Sequence, residues 1–152
     1  MDKTDKKILT LLQQDSAQPL SDIARKVGLS VTPCWRRIQK LEEDGIIRGR
    51  VALLDAEKLG LGMSVFVALK ITEHSSEWLN NFALKISEYD EVVEFYRMSG
   101  DVDYMLRVVV KNMAAYDTFY KKLISDVSLK DVSSSFAMEE IKYTTSLPIN
   151  RL

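Results

Sequence analysis

A second cysteine is missing, so the chain can form no internal disulfide, and Cys34 is left as a small apolar side chain. A second histidine is missing too. His74 lies in the polar run TEHSSE and reads as a solvated loop residue, and a Cys/His metal cluster is out of reach. No apolar run approaches the roughly 20 residues that a membrane span needs. The N-terminus is charged from its second residue and has no signal-peptide core. Neither a GxGxxG nor a P-loop is present. Charge of one sign is absent as well: 21 Lys and Arg face 22 Asp and Glu, a net charge of −1. These gaps argue against secreted, membrane-spanning and nucleotide-dependent classes. They leave the expectation of a cytoplasmic protein that is not an enzyme and needs no cofactor or metal.

The near-neutral total hides a local excess. Between Arg25 and Arg50 seven basic residues stand against three acidic ones, a balance of +4. Within that stretch, SDIARKVGLSVTPCWRRIQKLEE (Ser21 to Glu43) reads as two short helices joined by a glycine turn. Ser21 is expected to cap the first, whose Ile23, Ala24 and Val27 face inward. Gly28 marks the turn, Ser30 caps the second helix, and Pro33 is tolerated in its first turn. Cys34, Ile38 and Leu41 lie at i, i+4 and i+7 and share a buried face. Thr32, Arg36, Gln39 and Lys40 point the other way, with Arg37 and Trp35 on the flanks. An ordinary solvated helix has a similar outer face; the preceding cap, turn and small-residue pattern marks a helix-turn-helix that enters the DNA major groove.

Arg and Gln suit guanine and adenine edges, and Lys suits phosphate. Trp35 reads as a packing residue. IIRGRVALLD, after Gly45, is expected to form a two-stranded wing turning at Gly49, with Arg48 and Arg50 reaching phosphate. The expected DNA-contacting set is Ser30, Thr32, Pro33, Arg36, Arg37, Gln39, Lys40, Arg48 and Arg50. Helix 1, from about Asp2 to Gln14, has Ile8, Leu11 and Leu12 as its inner stripe. A winged helix-turn-helix domain thus spans 1–54.

Residues 55–62, DAEKLGLG, read as a linker, and 63–152 change character. Strands are expected over Met63 to Ile71, Val92 to Met98, Tyr104 to Val110 and Val132 to Ile141. Helices are expected over Glu77 to Ser87 and Asn112 to Ser125. The order is β-α-β-β-α-β, a ferredoxin-like antiparallel sheet with helices on one face, so the whole chain is α+β. Strand 1 is apolar on both sides: Phe66 and Ala68 alternate with Val65, Val67 and Leu69. The uncovered side needs a partner, and a homodimer is expected.

These segments resemble the Lrp/AsnC (feast/famine) transcription regulators. The carriers are GLSVTPCWRRIQKLEEDGII, the wing exit ALLDAEKLGLG, the loop MSGDVDYMLRV and the ending SSFAMEEIKYTTSLPI, in that order. The likeness is nearest to the amino-acid-catabolism and cysteine-detoxification branch. It implies a sequence-specific regulator of double-stranded DNA, dimers that assemble into octamers, and a small amino acid (cysteine, leucine or another) bound between dimers as effector.

The positions that match the effector region are Met98, Gly100, Asp101, Asp103 and Tyr104, with Ser133, Ser134 and Ser135 offering hydroxyls from a neighbouring subunit. Gly100 is the only glycine after Gly62, which points to an unusual backbone angle. Exposed amides there can hold a carboxylate, and an Asp can accept an ammonium group. A GD turn is also a routine hairpin. The reading from another class is a metabolite-sensing protein-interaction module without direct DNA binding.

Overall fold

A computed structural model describes residues 1–151, Asn150 by its backbone alone. The chain packs as two compact units: residues 1–53 with the tail from Ile141, and residues 54–140. No helix among the described residues is long and apolar enough to cross a membrane.

The first unit holds three helices, α1 (Lys3–Gln14), α2 (Leu20–Val27) and α3 (Val31–Glu43). Asp2 caps α1 by accepting from the Thr4 and Asp5 backbone N–H groups at 2.8 and 2.9 Å, while Asp5 accepts from the Asp2 N–H at 2.8 Å. This reciprocal box satisfies donors that an open helix end leaves free. Helix α2 begins at Leu20, two residues earlier than a Ser21 cap would place it. Pro19 is its N-cap, and its carbonyl takes the Asp22 and Ile23 N–H groups, so Ser21 lies inside the first turn. Ser30 is the N-cap of α3 through its carbonyl, which the Cys34 N–H reaches at 3.2 Å; its hydroxyl makes no capping bond. The buried cluster joins Ile8, Ile23, Ala24, Cys34, Ile38 and Leu41, with Leu11 and Leu12 packed against it.

The expected wing is different. Residues 46–54 form no paired strand, and Val51 and Leu54 are 79% and 74% exposed. The positive φ that reverses the chain falls at Gly45 (70°), where it closes α3, and not at Gly49. Without a turn at Gly49 the two halves of the segment cannot fold back as a hairpin. The tail returns to α1: the Leu147 N–H donates to Gln13 Oε1 at 2.6 Å, Gln13 Nε2 donates to the Leu147 carbonyl at 3.3 Å, and Ile149 packs on the cluster.

The second unit is a four-stranded antiparallel sheet with two helices. Its strands are β1 (Met63–Ile71), β2 (Val92–Arg97), β3 (Tyr104–Val110) and β4 (Leu129–Phe136). The helices are α4 (Ser76–Ser87) and α5 (Met113–Asp126). Strand order β2-β3-β1-β4 places β3 and β1 at the centre and β2 and β4 at the edges. Val65, Val67 and Leu69 of β1 alternate inward and meet Phe82 and Ile86 of α4 and Phe119 and Leu123 of α5. Strand β4 sits about three residues earlier than periodicity placed it. Leu129 already pairs with Ile71, and by Phe136, opposite Val65, β1 is nearly used up. Residues 137–148 therefore have no strand to join and form no regular element.

Candidate functional site

Helix α3 divides sharply into two sides. Cys34, Ile38 and Leu41 are buried, and burial pushes the Cys34 thiol above its usual pKa. Thr32, Pro33, Arg36 and Lys40 are exposed on the other side, beside exposed Ser30 at the cap. Arg36 and Lys40 have no ion-pair or hydrogen-bond partner among the described residues, and neither has Arg48.

The remaining basic and amide positions are engaged. Arg37 donates through one Nη to Asp2 Oδ2 and Asp5 Oδ1, each at 2.7 Å, tying α3 to the capping box of α1. The Asp5 backbone N–H and then this guanidinium hold the Asp2 carboxyl below its ordinary range. Glu42 collects the other two: Gln39 donates to Oε2 at 3.0 Å and Arg50 to Oε1 at 2.8 Å. Trp35, expected as a packing residue, is 50% exposed and makes no ring contact among the described residues.

In the second unit the sheet register sorts the expected effector residues onto opposite faces. Leu69 pairs with Tyr104 and Val132, and Val67 pairs with Leu106 and Ser134; both rows face the helices. Tyr104 is accordingly buried, and the Ser134 hydroxyl is hydrogen-bonded to Tyr116 Oη of α5. Ser133 and Ser135 alternate onto the open face. Met98, Gly100 and Asp101 are exposed at the hairpin between β2 and β3, and Gly100 has φ 112°. Asp103 locks the base of that hairpin. Its carboxylate accepts the Ile71 N–H at 2.8 Å, its own N–H donates to the Leu69 carbonyl at 2.9 Å, and its carbonyl accepts the Met98 N–H at 2.8 Å.

Beneath the hairpin lies a cavity of about 470 Å³ that the sequence reading missed. Ser76, Asn80 and Ala83 of α4 form one wall, and Phe95, Arg97 and Tyr104 form the sheet side. Arg97 shares the helix-facing row of Tyr104 and Leu69, is exposed, and has no partner among the described residues. The available signal was an arginine at a core-facing position of an alternating strand, VVEFYR. With Leu79, these residues offer hydroxyl, amide and guanidinium donors around an apolar floor, which suits a small molecule with a carboxylate.

Residues 1–48 match a family described as winged helix-turn-helix DNA-binding, and residues 64–147 match one described as the Lrp/AsnC ligand binding domain. Among known proteins, the DNA-binding transcriptional activator DecR of Escherichia coli K12 is 55% identical over 150 residues, covering 98% of this chain and 99% of DecR. The crystal structure of an AsnC family transcriptional regulator from Agrobacterium tumefaciens superposes with a TM-score of 0.97 at 60% identity, covering 100% of this chain and 99% of that one. A transcriptional regulator in complex with L-Met, from Neisseria meningitidis, follows at TM-score 0.95 and 36% identity, covering 99% and 98%.

Proposed function

The chain belongs to the Lrp/AsnC family of DNA-binding transcriptional regulators, with an amino-acid ligand-binding domain, and from that footing we propose how its own residues divide the work. Residues 1–54 read a specific operator, 55–62 link, and 63–152 bind the effector and assemble the chain; residues of the tail from Ile141 also brace α1. Thr32, Arg36 and Lys40 meet the major groove, with Ser30 and Pro33 near the backbone and Arg48 on phosphate. Gln39 and Arg50 reach DNA when Glu42 releases them, whereas Arg37 holds α3 in place.

The single observation behind this reading is the two-sidedness of α3. Arg36 and Lys40 stand free and exposed while Cys34, Ile38 and Leu41 anchor the opposite face. Measuring affinity for a selected duplex against salt tests it. Each phosphate neutralised by a cation adds roughly −0.9 to the slope of log K on log salt. A flat dependence removes direct DNA binding and leaves the protein-interaction module.

The effector is a small amino acid, cysteine and leucine being the first to try, held near Gly100–Tyr104. Support comes from the exposed, unpaired Asp101 carboxylate, which suits an ammonium group, and from Arg97, which suits a carboxylate. Ser133 and Ser135, on the open face, can reach such a ligand only from another subunit in a dimer or octamer. The DNA target places the protein in the cytoplasm. A thermal-shift series with the twenty amino acids tests the ligand. One that binds only the folded chain stabilises it by about 2.7 kcal/mol at a hundredfold excess over Kd. A series without a shift removes the effector reading.

A further inference from the structure

We propose that Trp35 reads thymine in the operator, its indole resting on the C5-methyl groups of one or two thymines in the major groove. The proposal rests on the reading of α3 as the recognition helix and adds a residue that neither the charge pattern nor the periodicity assigned to DNA.

A tryptophan is on average highly buried by packing on its own fold, because its ring is the largest apolar surface a side chain carries. Trp35 is 50% exposed, lies outside the buried cluster of its unit, and stacks on no ring among the described residues. Its backbone is nonetheless fixed. Cys34 immediately before it is fully buried, and Ile38 three residues on is buried as well. The ring is thus an exposed apolar plate on a rigid mount in the first half of α3, next to the free guanidinium of Arg36 and one turn after exposed Thr32.

Its neighbours decide the occupant. Any occupant of this surface must also take the cations of Arg36 and Lys40, which no carboxylate among the described residues pairs with. A duplex answers both demands: its phosphates and guanine edges take the cations. The only apolar group it displays in the major groove is the thymine methyl. Arg36 and Trp35 then read adjacent positions, one by hydrogen bonds and one by apolar contact.

The experiment uses the full-length chain and a duplex selected by it from random sequence, with each dT replaced in turn by deoxyuridine, which removes only the methyl group. For the wild-type chain, replacement at one or two thymines per half-site weakens binding about fourfold each, the worth of one methyl withdrawn from water. W35A binds the unmodified duplex more weakly and is indifferent to the same replacements; W35F keeps part of the response. Since the ring is exposed, W35A melts within a degree or two of the wild type, and circular dichroism checks that it is folded.

A wild-type chain that binds every deoxyuridine duplex as well as the parent overturns the proposal while leaving the regulator reading intact. So does a W35A chain that loses as much as the wild type at the same thymines. A wild-type chain that selects no duplex at all removes the regulator reading, and this one with it.

Discussion

Arg36 and Arg37 are neighbours in sequence with opposite surroundings. Arg36 faces water without a partner, whereas Arg37 bridges Asp2 and Asp5 at 2.7 Å each. Arg36→Ala is expected to weaken operator affinity by about 1–3 kcal/mol, the worth of a lost base contact, and to leave melting unchanged. Arg37→Ala should act chiefly on melting, because it frees the N-terminus of α1 from α3. Equal losses of affinity in the two variants, measured by fluorescence anisotropy, would refute that division. Periodicity identified the buried face of α3 because a 3.6-residue repeat is written locally. It gave Arg36 and Arg37 similar roles because the partners of Arg37 lie 35 and 32 residues away. Tyr89 carries a second residue-scale consequence. Burial first, and then the Asp126 carboxylate that its hydroxyl reaches at 2.5 Å, raise its pKa above the usual 10.0. Ionisation is therefore easier in the unfolded chain, so the associated stability is intact below pH 10 and declines as pH rises beyond it. Tyr89→Phe should flatten the alkaline limb of a denaturant-midpoint profile as pH rises above 10. A limb as steep as that of the wild type would refute the assignment.

At the scale of elements, the β2–β3 hairpin combines a legible feature with a hidden one. Gly100 stood out as the only glycine beyond Gly62, and its φ of 112° lies where a side chain is strained. A Cβ built there meets nothing within 4 Å, so the penalty of Gly100→Ala comes from backbone strain and not from a clash. That variant should cost at least about 1 kcal/mol, read from its shift in denaturant midpoint, and should disturb effector binding more than DNA binding. An unchanged midpoint would mean the hairpin relaxes freely. What the sequence concealed is that Asp103 is bonded into β1: a carboxylate-to-amide bond 32 residues apart has no local signature. The misplaced wing and the early β4 share one cause. Alternating apolar residues mark a capacity to be a strand, but a strand exists only where a partner is within reach, and that depends on where neighbouring turns fall. Gly45, not Gly49, reverses the chain, and Leu129, not Val132, meets the end of β1.

For the whole molecule, the two-sided apolar character of β1 leads to the largest consequence. Its inward residues are sealed by α4 and α5, but the alternate row is not: Phe66 is 42% exposed, with Ala68 beside it and Met105 and Tyr96 on the neighbouring strands. An antiparallel sheet tolerates one wet face when that face is polar; one bearing Phe, Met and Tyr gains by covering itself. The helices already occupy the other side, so a second copy presenting the same face is the simplest cover, and a two-fold pairing of like surfaces closes on itself. Phe66→Asp places a charge in the middle of that face without touching the core. It should weaken self-association at least tenfold, about 1.4 kcal/mol, in sedimentation velocity, while circular dichroism stays that of the wild type. Because two recognition helices on one duplex bind far more tightly than one, the same variant should lose operator affinity even though α3 is unaltered. A Phe66→Asp chain that remains a dimer, or one that turns monomeric yet binds the operator as well as the wild type, would break the link between the open face and DNA reading.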